Sequence, residues 1–101
     1  MTTEVTDSKD RSRYELTVDG ELAGFAAYRD MKGTRVFTHT EVFPAFGGRG
    51  LGSILVRSSL DEVRGRGGTL VALCPFVDRF VREHAEYGDL VDADLDVRLR
   101  D

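Results

Sequence analysis

The chain has 101 residues, 41% of them hydrophobic and 32% charged, with a formal net charge of -4, which leaves room for one domain around one core. The acidic balance excludes non-specific nucleic-acid binding, which needs a basic surface to release counterions from phosphates. A single cysteine, Cys74, excludes both an internal disulfide framework and a cysteine-based zinc site and fits a reducing compartment.

No apolar run approaches the roughly 20 residues of a membrane span, and the start carries no apolar signal core. No membrane role and a cytoplasmic location are therefore expected. Residues 1–13 read as a disordered polar tail, and residues 14–101 as the folded domain. Tyr14, Leu16 and Val18 alternate with polar residues, and Asp19-Gly20 then separates them from a second apolar stretch, Leu22 to Tyr28. Asp-Gly between two such runs signals a hairpin, because a type I′ turn needs positive φ. A further turn at Asp30 to Gly33 leads into a third strand, Thr34 to Val42, rich in β-branched and aromatic residues.

Pro44 ends that strand, and a glycine cluster follows. From Gly50 or Leu51 to about Arg64 the pattern is helical, with Leu51, Ile54, Leu55 and Val63 on one face and Arg57, Asp61 and Arg64 on the other. Glu62 does not fit this wheel. Gly65 and Gly67-Gly68 stop the helix, and Thr69 to Leu73 is a short apolar run of the kind buried on both faces of a sheet. Pro75 suits the entry to a second helix, on which Val77, Phe80, Val81 and His84 share a face. Residues 92–101 read as an edge strand or a frayed end. The fold class is therefore α/β (α+β): an antiparallel meander leading into a β-α-β unit, a mixed sheet with two main helices.

The loop Phe46-Gly47-Gly48-Arg49-Gly50-Leu51-Gly52-Ser53 stands between a strand and a helix. Glycine lets a ligand approach the backbone, and the first helical turn offers unpaired N–H groups and partial positive charge to a phosphate. Arg49 adds a cation and Ser53 a hydroxyl. The P-loop is excluded because its lysine is missing, and the dinucleotide fingerprint because neither spacing nor length fits. A ligand-free glycine turn is the alternative.

Gly50-Leu51-Gly52 matches half of the [RQ]-x-x-G-x-[GA] loop of the Gcn5-related N-acetyltransferases. Together with His39-Thr40-Glu41-Val42, Cys74-Pro75-Phe76-Val77 and His84-Ala85-Glu86-Tyr87 in this order, the chain resembles the minimal, single-domain, YjdJ-type members of that family. The resemblance covers Tyr14 to about Val91. It implies coenzyme A or acetyl-coenzyme A as cosubstrate, with Gly47 through Ser53 holding the pyrophosphate and the backbone of Glu41 and Val42 pairing with the pantetheine arm. Gly47 departs from the pattern, since the family places Arg or Gln there.

Acetyl transfer to an amine needs a held thioester and a route for the proton. Cys74 is either a covalent acyl carrier or a wall of the pocket, which the resemblance places near the acyl end. His39, expected on one strand face with Phe37 and Glu41, is a proton acceptor or a hydrogen-bonded core residue. Glu41 is a second candidate base. Phe76 and Phe80 line the pocket or the core, His84 is read as a structural histidine, and Tyr87 as packing or a proton donor. No metal site is expected. The expected function is an N-acetyltransferase with an amine acceptor, small molecule or protein, for which the acidic balance favours a cation. The alternative is a non-catalytic coenzyme A-binding module.

Overall fold

Strand pairing begins earlier than the hydrophobic pattern suggests. In a computed structural model, which describes residues 1–100, Thr3–Ser8 forms an edge strand, β1, antiparallel to β2 (Arg13–Val18), with Val5 opposite Leu16. The expectation of a disordered tail over residues 1–13 is thus corrected. A single apolar residue, Val5, packs against the core, too little to show as alternation. Strands β3 (Glu21–Met31) and β4 (Thr34–Val42) complete the meander. Asp19 and Gly20 take φ of 50° and 85°, and Lys32 and Gly33 take 51° and 84°, so both hairpins close through positive-φ pairs as type I′ turns do.

Helix α1 (Leu51–Gly65) follows β4, and β5 (Thr69–Ala72) then pairs parallel with it, giving one five-stranded sheet in the order β1-β2-β3-β4-β5. Helix α2 (Pro75–Glu83) and a 3-10 segment (Ala85–Leu90) come next. Leu51, Leu55, Leu60 and Val63 of α1 pack with Val77 and Phe80 of α2 on Tyr14, Leu16, Val18 and Phe37 of the sheet. Full burial of each such aliphatic side chain contributes about 1.5–3 kcal/mol. The polar face of α1 is used as well: Arg57 and Asp61 bond the Tyr87 hydroxyl, and Arg64 holds Asp89 and the Glu86 carbonyl.

Two further expectations are corrected. Residues 93–100 form a third helix, α3 (Ala93–Arg100), rather than an edge strand or a frayed end; the part of that expectation on Asp101 lies outside the described residues. Asp92 starts α3 by accepting the Leu95 N–H, and Val91 bridges Leu70 at the β5 edge. Leu73 lies past β5 and is 38% exposed, not buried.

Glu62 has its reason in Arg35, which is buried at 4% exposure. The guanidinium grips both oxygens of Asp30 at 2.8 and 2.9 Å, reaches Asp7 at 3.0 Å and the Tyr14 hydroxyl at 2.8 Å, and lies 3.7 Å from the Tyr28 ring centre. Tyr14 donates to Glu62, and Tyr28 to Asp7. This network ties β1 and α1 to the end of the sheet opposite the glycine loop.

Candidate functional site

Strands β4 and β5 pair only from Thr34–Thr69 to Phe37–Ala72. Past that point the N–H groups of Leu73 and Cys74 both donate to the Phe37 carbonyl, each at 3.0 Å, and the chain turns away into α2. Among the described residues no strand therefore pairs with the β5-facing edge of β4 from Thr38 to Val42. Thr38 is also an extra residue: Ala27 faces His39 and Tyr28 faces Phe37, a β-bulge. The bulge reverses the alternation. Phe37 points into the core, Thr40 meets Cys74 and Val42 packs on the core, while His39 and Glu41 stand on the outer face. The expectation that His39 shares a face with Phe37 is corrected for this reason, although Glu41 does stay with it.

At the open end of this parting, Pro44–Phe46 makes a short 3-10 turn, Gly48 and Gly50 take φ of 78° and 69°, and α1 begins without a side-chain cap. The first helical bond runs from the Ile54 N–H to the Gly50 carbonyl, so the N–H groups of Leu51, Gly52 and Ser53 lack a helix carbonyl. They border a hollow of about 310 Å³. Its walls are Val42 and Phe46 on one side, the loop Gly47, Gly48 and Gly50 with Leu51, Gly52 and Ser53 below, and Phe76 across from them. A Cβ on Gly52 would come within 2.8 Å of the Phe76 ring, so glycine there lets the ring lie over the helix start. Ser53 and Phe76 also line a second hollow of about 200 Å³, with Arg79, Phe80, Glu83 and His84. The two hollows share Ser53 and Phe76.

Not every candidate lies in the first hollow. Arg49 stands outside its lining, with its guanidinium 5.7 Å from the Phe46 ring centre. Phe80 is buried at 4% in the core and borders only the second hollow. Cys74 is buried at 3%, immediately before α2, and its thiol donates to the Thr40 hydroxyl at 3.4 Å. It sits behind the parting rather than in the open groove. His39, with 59% of its side chain exposed, meets Glu41 at 3.2 Å and the Phe25 ring at 5.8 Å. No hydrogen bond joins His39 to Cys74 among the described residues.

His84 stacks on Phe80 at 3.9 Å and hydrogen-bonds the Phe80 carbonyl through Nδ1 at 2.7 Å. A carbonyl only accepts, so Nδ1 carries the proton and the ring is fixed by its own helix. Tyr87 donates to Asp61 at 2.6 Å; burial, then this carboxylate, pushes its hydroxyl pKa up. Arg79 borders the second hollow without having been singled out in the sequence, since a lone arginine on a polar helix face carries no signal of its own.

The sequence profile of the GCN5-related N-acetyl-transferases matches residues 13–90. No curated protein matches the chain. Among solved structures, a GCN5-like protein from Staphylococcus aureus superposes with a TM-score of 0.66 over 87% of this chain and 86% of its own, at 19% identity. The ribosomal-protein-S18-alanine N-acetyltransferase of Escherichia coli gives 0.55 at 28% identity, covering 59% of this chain and 39% of the enzyme. A Brucella melitensis GNAT-family acetyltransferase in complex with acetyl-CoA gives 0.52 at 29% identity, covering 60% of this chain and 44% of that one. The chain thus spans about two fifths of the Escherichia coli and Brucella chains. With 78 consecutive residues matched, 13 through 90, the chain belongs to the GCN5-related N-acetyltransferase family.

Proposed function

We propose that the chain binds acetyl-coenzyme A in this groove and transfers its acetyl group to an amine. The observation that carries the reading is the glycine-lined hollow at the start of α1, continuous with the parting of β4 from β5. The free N–H groups of Leu51, Gly52 and Ser53, together with the Ser53 hydroxyl, suit the pyrophosphate. The unpaired β4 edge from Thr38 to Val42 suits the amide-bearing pantetheine arm, which would add to the sheet as a short strand does. Arg79 and the second hollow suit the nucleotide end.

In the reaction the amine nitrogen attacks the thioester carbon. The C–N bond forms, the C–S bond breaks, the amine gives up a proton and the coenzyme A thiolate takes one from solvent. His39, exposed on the outer face and paired with Glu41 at 3.2 Å, serves as the proton acceptor in this reading. Cys74, buried and bonded to Thr40, serves as the wall behind the acyl group. The alternative of a non-catalytic coenzyme A module keeps one specific support: Gly47 offers no side chain to the phosphates.

Calorimetry with acetyl-coenzyme A, followed by free-thiol release with a panel of amines, tests the reading. Binding with turnover is expected, and His39→Ala should lower kcat about 10²-fold. Binding without turnover for any amine selects the module. Cys74→Ala should retain turnover within about threefold, because a wall position tolerates a small apolar residue. An acetyl adduct on Cys74 by mass spectrometry would overturn the wall assignment.

A further inference from the structure

A third hollow, of about 420 Å³, opens on the outer face of the sheet at the apex where β4 and β5 part. Arg29 and Met31 of β3, Val36 and Thr38 of β4, Leu73 beyond β5 and Leu99 of α3 line it, beside Asp30. Its place follows from register. Val36 pairs with Arg29 on one side and Val71 on the other, Thr38 is the bulge residue, and Leu73 is the first residue past β5.

The walls are apolar and incomplete. Val36 is buried at 2%, yet Met31 and Leu73 remain 41% and 38% exposed, large apolar side chains left in water around one concavity. Helix α3 supplies the Leu99 wall and is pinned there by Arg100, which donates to the Ala72 carbonyl at 2.6 Å and pairs with Asp78 at 3.3 Å. The two charged residues differ. Both oxygens of Asp30 are taken by the Arg35 fork, whereas Arg29 makes no hydrogen bond or ion pair among the described residues.

Phe37, Thr40 and Cys74 stand on the helix side of the parting, which leaves the outer face as the side from which an amine would approach a thioester held there. We infer that this hollow receives the acceptor, and that the acceptor is a hydrophobic α-amino acid: its side chain lies against Met31, Leu73 and Leu99, its carboxylate on Arg29, and its amine at the apex between Thr38 and Leu73. The inference rests on the acetyl-transfer reading above and adds the substrate class. His39 follows Thr38 directly and stands with Glu41 on the same outer face, so the proton lost by the amine passes to the His39 imidazole as the C–N bond forms and the thiolate leaves. The local arginine, rather than the acidic net charge, sets the preference.

The test compares L-leucine, L-methionine, L-leucinamide and spermidine as acceptors by thiol release with acetyl-coenzyme A. Leucine and methionine should be the best acceptors. Leucinamide, which lacks the carboxylate, should lose at least about tenfold in kcat/KM, the worth of one charge-assisted bond. Arg29→Met should erase the difference between leucine and leucinamide, and Leu73→Asn should weaken both. Transfer to spermidine but not to leucine overturns this inference and leaves acetyl transfer standing. If no amine is acetylated, the Met31 methyl resonance is followed while leucine is added to the coenzyme A complex. A shift there contradicts transfer but keeps the zwitterion site, and no shift at millimolar leucine overturns the inference.

Discussion

Gly52 shows how one missing methyl group serves a ligand rather than the fold. A Cβ at this position would meet the Phe76 ring at 2.8 Å, and Phe76 is 43% exposed, so the ring can swing away at little cost. Alanine is also intrinsically favoured over glycine in a helix by about 1 kcal/mol. Gly52→Ala should therefore leave the melting temperature unchanged or slightly raised, while acetyl-coenzyme A binds about tenfold more weakly because the added methyl group displaces the Phe76 wall of the hollow and crowds the free N–H groups at the helix start. Calorimetry and thermal melting on the same variant check both halves; equal loss in both would mean the glycine serves packing. Gly24 is the contrasting case. Its Cβ would meet the Glu41 carbonyl at 2.4 Å, and that backbone cannot move without disturbing the β3–β4 ladder.

Among the elements, those built on strong periodicity were legible before the structure: both hairpins, α1, the parallel β5 and the start of α2. The glycine loop could be placed at a helix start because four of its residues are glycine and a helical pattern follows. What could not be read depends on partners distant in sequence. Strand β1 has Val5 as its one apolar contact and is held by Asp7, whose partners Tyr28 and Arg35 lie in other strands. The bulge at Thr38, which moves His39 off the Phe37 face, arises from pairing with β3 and leaves no local trace. Helix α3 looked strand-like because Leu95, Val97 and Leu99 alternate, but pairing with the β5 edge stops at Val91 and Asp92, whose carboxylate then accepts the Leu95 N–H and starts the helix. Arg35 links these elements most tightly. Arg35→Met removes the cation that Asp7, Asp30 and Glu62 share, leaving Arg66 at 3.4 Å from Glu62, and should cost about 3 kcal/mol, the low end for a broken buried pair because Asp30 and Glu62 are half-exposed. Denaturant unfolding of the variant measures it; loss of less than about 1 kcal/mol would show the network to be dispensable.

For the molecule as a whole, the Arg35 network together with the Tyr87–Asp61 and Arg13–Glu15 pairs bears on both ends of the pH range. Burial, then the Asp7 carboxylate, pushes the Tyr28 hydroxyl up to about 12. Tyr14 is raised further by burial and by Glu62, and Tyr87 is raised by burial and by Asp61. These are all three tyrosines of the chain. A raised folded-state pKa contributes stability that is complete below the unfolded value of about 10 and lost as pH climbs through the folded values. At about pH 10.5 the folded chain should therefore show less tyrosinate absorbance than the unfolded chain, with Tyr14 and Tyr28 still protonated, and their ionisation should coincide with unfolding above that. At the acid end the sign reverses. The Arg35 fork lowers the Asp30 carboxyl and Arg13 lowers Glu15, so their stabilisation is present above the ordinary carboxylate range and disappears as pH falls below about 4.

The central claim is that the groove at the start of α1 and along the open β4 edge is a coenzyme A site. Adding acetyl-coenzyme A to the isotope-labelled protein and following backbone amide resonances tests it most directly. Saturable shifts are expected, largest at Val42 and from Gly47 to Ser53, with the Arg35 cluster at the far end of the sheet unmoved. Absence of shifts at millimolar ligand, or shifts confined to residues outside that groove, would contradict it.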